Sequence, residues 1–196
     1  MLAEYSAKHS MSDGESVGMA GKYIAPDRIA SVDDSPAAIY IVHDTIANNL
    51  KGCVMTVDAK YWTEAWATGG GRNGSAGLAD GKLTVTMTSP AELGGSGKGH
   101  NPEELFATGY AACYLGAMRF AAQSEKLGTV PDDARVTAHV GIGPRSDGGF
   151  GLRVKLVVSL PGVDRASAER ITERGHFICP YSNATQGNIQ VETEIV

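Results

Sequence analysis

The stretch that most constrains this chain is residues 105–118, LFATGYAACYLGAM, in which no side chain carries a charge. It follows Asn101-Pro102-Glu103-Glu104. That is a strong helix start: Asn caps the first free N–H groups, Pro suits the first turn, and two acids favour the positive end of the helix dipole. A helix without a polar face is expected to be buried on all faces. The run is shorter than the roughly 20 apolar residues that cross a bilayer, so it predicts a central core helix. Gly109 and Gly116 cost helix stability, and their presence predicts close approach of another element.

The flanking segments predict the partners of that helix. Residues 61–68 read as a strand from their aromatic and threonine content. Gly69-Gly-Gly-Arg-Asn-Gly74 follows as a tight turn, and residues 82–88 alternate as a second strand. Residues 135–142 and 150–160 predict two more strands. Asp164 caps a predicted helix at Arg165–Ile178, which Pro180 ends. Residues 188–196 predict a last strand. Strands outnumber helices and the connecting turns are short, so the expected class is α+β with antiparallel sheets around the buried helix. Residues 1–54 read as an N-terminal extension with little core of its own, either a flexible tail or an over-called start. The domain proper is expected over residues 55–196.

Bulk properties narrow the function. Seventeen basic against 22 acidic residues give a net charge of −5, which argues against nucleic acid. There is no candidate membrane helix and no basic-then-apolar leader, so a cytoplasmic location is expected. Three cysteines are too few for a disulfide scaffold and predict chemistry, metal binding or packing instead. Cys53 falls in the extension and reads as incidental.

Cys113 lies within the buried helix. On its own it reads as a small apolar side chain, which is what a lone helical cysteine usually is. Cys179 sits at a helix end facing a loop, a position expected to be partly exposed and movable. One buried and one movable thiol form the arrangement that a peroxidatic and resolving pair needs, passing from sulfenic acid to disulfide. The attacking species is a thiolate, and burial raises a thiol pKa, so Cys113 needs a cation. Arg72, on the glycine-rich turn, is the best candidate; the other reading is a solvated turn arginine. Glu103 would hold such an arginine, or would simply serve the helix dipole. Glu103 and Cys113 stand ten positions apart, about 15 Å along one helix. One arginine cannot easily serve both within a chain, which favours a site shared in a symmetric homodimer. A competing reading joins His176, Cys179 and Cys113 as metal ligands, although their spacing is poor for zinc. His176 alone reads as a helix C-terminal cation, and His100 as a loop residue beside the helix start.

From about Tyr61 onward, about 136 residues, the chain resembles the organic hydroperoxide resistance proteins of the OsmC/Ohr family. Several motifs match in order. They are Ala67-Thr-Gly-Gly-Gly-Arg-Asn-Gly, Ser89-Pro-Ala-Glu-Leu-Gly-Gly, Asn101-Pro-Glu-Glu-Leu-Phe-Ala-Thr-Gly-Tyr-Ala-Ala-Cys, Val140-Gly-Ile-Gly, Gly149-Phe-Gly-Leu and Cys179-Pro-Tyr-Ser-Asn-Ala-Thr-Gln-Gly-Asn. The resemblance implies a peroxidatic Cys113, a resolving Cys179, an activating Arg72 and Glu103 as its partner. It implies an intertwined α+β homodimer with two interfacial sites, and reduction of alkyl and fatty-acid hydroperoxides to alcohols. Dihydrolipoamide or a lipoylated protein would be the reductant, with no bound cofactor or metal. Phe106, Tyr110, Tyr114 and Phe177 are expected to line an alkyl pocket or to pack the core. The extension and His100 depart from the family pattern, His100 at the expected site entrance.

Overall fold

The fold was analysed in a computed structural model that describes residues 56–196; the extension and Cys53 lie outside the described residues. A first sheet is built from β1 (Ala65–Thr68), β2 (Ser75–Leu78) and β3 (Thr84–Thr86), antiparallel in the order β1-β2-β3. The glycine-rich segment closes the β1–β2 hairpin through a 3-10 turn at Gly71–Asn73, with Thr68 opposite Ser75. Gly71 has φ of +59°, a conformation a side chain disfavours. The predicted strand at 61–68 is thus shorter than expected, and Tyr61 and Trp62 are exposed. β2 was not anticipated; Ser75-Ala-Gly-Leu lacks the alternation that marks a strand.

Helix α1 (Pro102–Ser124) begins where its cap predicts. The Asn101 side chain accepts a hydrogen bond from the Glu104 N–H at 2.9 Å. β4 (Arg135–Pro144) and β5 (Phe150–Ser159) form a long antiparallel hairpin. α2 (Arg165–Ile178) has the expected bounds, with Asp164 accepting from the Ser167 N–H at 3.0 Å. A short helix, α3 (Pro180–Thr185), follows at once, and the chain ends in β6 (Gln190–Ile195). β6 runs parallel to β5, with Val154 opposite Val191. The second sheet is therefore mixed, not antiparallel as expected. The reason is the α2–α3 crossover, which carries the chain back to the starting end of the sheet. The class remains α+β.

The core lies between α1, α2 and this second sheet. Val154, Leu156 and Val158 alternate inward along β5, while Arg153 and Lys155 face out toward Glu192 and Glu194 on β6. Tyr110, Tyr114 and Met118 of α1 and Ile171 of α2 fill the layer between. Only one side of α1 is covered. Thr108, Ala112, Gly116 and Phe120, spaced four apart, form an exposed line along the other side. This corrects the expectation of burial on all faces. The apolar run lacks a polar face, yet within one chain its outer side meets nothing. Gly109 does admit a close neighbour, Tyr181, but among the described residues nothing lies within 4 Å of a Cβ built on Gly116. Among the described residues no helix is long and apolar enough to cross a membrane.

Candidate active site

The two thiols meet. Cys179 Sγ lies 3.6 Å from Cys113 Sγ, and both are free. A disulfide needs about 2.0 Å, so the pair is poised and unbonded. Their environments reverse the sequence expectation: Cys179 is fully buried and Cys113 only partly. Pro180 explains the reversal. It cannot continue α2, and it holds residue 179 in an extended conformation (φ −67°, ψ 118°) that serves as the end of α2 and the start of α3. The elbow turns inward and carries the sulfur into the core.

Burial raises the Cys113 pKa, and hydrogen bonding between the two thiols that favours the protonated Cys113 adds to the rise; the backbone N–H of Tyr181 pulls the other way. None of these influences is a cation. Left to these neighbours, Cys113 would be a sluggish nucleophile at neutral pH.

A paired cation stands at the N-terminus of α1. Arg72 forms a two-pronged pair with Glu103: Nη1 donates to Oε2 at 3.0 Å and Nη2 donates to Oε1. The Glu103 side chain is only 11% exposed, against 39% for Arg72. Hydrogen bonding to Arg72 holds the Glu103 carboxyl below its ordinary range. Asn73 anchors the turn by accepting from the Ser89 N–H at 3.0 Å. The fold therefore assembles two pairs, Arg72 with Glu103 and Cys113 with Cys179, one at the start of α1 and one near its middle.

Aromatic rings pack together beside the Cys179 elbow. Tyr181 stacks on Phe106 with ring centres 5.9 Å apart and 9° between planes, and packs against Tyr110 at 5.8 Å. A Cβ on Gly109 would sit 3.1 Å from the Tyr181 hydroxyl, so this glycine seats the ring. Of the four rings expected to line a pocket, Tyr110 and Tyr114 are fully buried. Phe177 is exposed beneath the Arg174 guanidinium, 4.3 Å from its ring centre. Tyr181, not singled out from sequence, contributes both a ring and the N–H that faces Cys113. One signal was available: the residue after a helix-starting proline has an N–H with no partner inside the helix. A cleft of about 470 Å³ opens beside the elbow, lined by Tyr110, His176, Phe177, Ser182 and Val191 among others.

Two histidines settle differently. His100 Nδ1 lies 3.1 Å from Glu104 Oε2 at the surface. His176 is not the helix-end cation expected. Its ring is half-buried, burial pushes its pKa down, and both ring nitrogens meet hydroxyls. Among the described residues no cluster of three or more His, Cys, Asp or Glu could hold a metal, so the ligand set His176, Cys179 and Cys113 does not form.

Comparison with known proteins places this chain in a family. The model of the OsmC-like proteins matches residues 95–194, which include Glu103 and both thiols but not Arg72. An uncharacterized protein of Acinetobacter baylyi is 52% identical over 136 residues, 69% of this chain and 93% of the relative. An organic hydroperoxide resistance protein of Xanthomonas axonopodis pv. citri is 47% identical over 132 residues, 67% of this chain and 91% of the relative. The crystal structure of an organic hydroperoxide resistance protein from Legionella pneumophila superimposes with a TM-score of 0.66 at 40% identity, covering 70% of this chain and 98% of that one. The chain belongs to the OsmC-like family, in the branch of the organic hydroperoxide resistance proteins.

Proposed function

We propose that this protein is a thiol peroxidase that reduces organic hydroperoxides and so protects against oxidative stress. The observation that carries the reading is the 3.6 Å approach of two free thiols. The names of its relatives support the substrate class. The Cys113 thiolate attacks a peroxide oxygen; the O–O bond breaks and the alcohol leaves with a proton. Cys113 is left as a sulfenic acid, and Cys179 condenses with it to a disulfide, releasing water. Dihydrolipoamide or a lipoylated protein then returns both thiols by exchange. No resident metal or cofactor takes part, and a reducing cytoplasm suits the resting dithiol.

Arg72 supplies the positive charge that Cys113 lacks, and Glu103 fixes its fork. The two pairs are joined across a homodimer, so that the Arg72–Glu103 pair of one copy faces the thiols of the other. Three observations support this. The pairs are separated by about 15 Å of helix. The outer side of α1 is an open line of small and apolar residues ending at Phe120. β1 is exposed over its whole length.

The test is direct. Reduced protein is mixed with tert-butyl hydroperoxide and dihydrolipoamide, and peroxide loss is followed. Turnover abolished by Cys113→Ser is expected; no turnover, or turnover that survives the substitution, overturns the reading.

A further inference from the structure

A hydrogen-bonded chain surrounds the Cys179 elbow, and the proposed chemistry makes no use of it. His176 lies one turn before Cys179 and Ser182 one turn after. The imidazole bridges them, with Nδ1 2.9 Å from Ser182 Oγ. Its Nε2 lies 2.8 Å from Thr193 Oγ1 on β6. Ser182 Oγ in turn lies 3.0 Å from the Tyr110 hydroxyl on α1. The ring is seated on Tyr114, with centres 4.4 Å apart. Partial burial lowers the imidazole pKa and so favours the neutral ring, which has one N–H donor and one acceptor for its two hydroxyl neighbours.

The elbow is the place where such a brace matters. Cys179 is the only residue between α2 and α3, and its two torsions set the angle between them. α3 has no side-chain cap of its own. Pro180 confines residue 179 to the extended region, but that region is broad. The imidazole spans the joint and ties both arms to β6 and α1.

We propose that His176 is a positioning residue for disulfide formation, locking the Cys179 elbow so that its sulfur is presented to Cys113. The proposal rests on the peroxidatic reading of Cys113. In the step it serves, the Cys179 sulfur attacks Cys113 Sγ of the sulfenic acid. An S–S bond forms and the S–O bond breaks. The oxygen leaves as water, carrying the proton that Cys179 gives up. The sulfurs close from 3.6 Å to a bond length of about 2.0 Å. A locked elbow keeps that closure short.

The test uses the full-length reduced chain as wild type, His176→Ala, the near-isosteric Thr193→Val, and the double variant. Each is mixed with tert-butyl hydroperoxide, quenched with dimedone to trap sulfenic acid, and resolved by mass spectrometry. Cys113 oxidation should proceed at the wild-type rate throughout. Disulfide formation should slow about tenfold in His176→Ala, the scale of one buried hydrogen bond, with the dimedone adduct accumulating. Thr193→Val should slow it less, and the double variant no more than His176→Ala alone. Wild-type disulfide rates in His176→Ala overturn the proposal. Equal slowing of both steps also overturns it, because the ring then merely supports the fold. Should His176→Ala not fold, wild-type disulfide rates in Thr193→Val overturn it instead. Diamide, which closes the same disulfide without hydroperoxide, separates the two readings. A wild type inert to hydroperoxide would sink the peroxidase, yet slower closure by diamide in His176→Ala would still support the brace. Equal diamide rates overturn it.

Discussion

A partly buried thiol beside a second thiol holds its proton, and the Tyr181 N–H only partly offsets this at Cys113. In the proposed mechanism, Arg72 meets the cost of forming its thiolate. Replacing Arg72 with Ala should therefore slow the first oxidation about a hundredfold, a loss on the scale of removing one preorganised charge or donor. Stopped-flow measurement of thiol loss checks it, and an unchanged rate removes Arg72 from the mechanism. Arg72→Lys should not restore it, since an ammonium cannot offer the fork. The lowered pKa of Glu103 carries a pH signature. A carboxyl whose folded pKa is depressed stabilises above its unfolded value, about 4.3, and loses that contribution as pH falls through the lower folded value. Wild type should thus exceed Glu103→Gln in urea stability at neutral pH, and the gap should close in acid. A gap independent of pH would contradict the pairing. Cys179→Ser should oxidise once at the normal rate and then lose dithiol-dependent turnover; undiminished turnover with dihydrolipoamide refutes its resolving role.

At the scale of elements, helix ends decide where the chemistry sits. α1 begins at the Asn101 cap, which sets Glu103 in its first turn and Cys113 near its middle. Asn101→Ala should cost about 1 kcal/mol in urea denaturation, the usual value of such a cap. The α2–α3 elbow shows how much of this organisation is local. The bounds Arg165–Ile178, the Asp164 cap and the stop at Pro180 are all legible in the sequence because each rests on neighbours within one turn. α3 was not legible, since a proline that ends one helix is also well suited to start the next. The direction of β6 was hidden for a different reason. Short turns imply antiparallel pairing, but here two helices intervene and return the chain parallel to β5.

The whole molecule decides whether the two half-sites become one. If the site is shared between copies, mixing Arg72→Ala with Cys113→Ser should restore activity, because each mixed dimer then holds one complete site. Random exchange should return about a quarter of wild-type turnover in a two-fold symmetric dimer. No recovery after proven exchange places the whole site within one chain. Phe120→Glu, on the open side of α1, should shift sedimentation toward the monomer and reduce peroxidase activity together. A stable dimer with full activity would show that this side is not the interface.

The sequence by itself determined the caps of α1 and α2, the bounds of α2 and the α+β class, and it singled out Arg72, Glu103, Cys113 and Cys179 as candidates for the chemistry. These rest on short-range rules or on residue types that one reaction demands. Tertiary structure decided the rest. It buried Cys179 and left Cys113 the more open thiol, because the inward turn of the elbow depends on α1 packing that no local pattern encodes. It made His176 a neutral brace where a charged helix end was expected, because its partners Ser182 and Thr193 lie on separate elements. It also covered one side of α1 and left the other open. An uncharged run within a helix states that its faces avoid water; which surface meets each face is settled only when the chain, and in our reading its second copy, comes together.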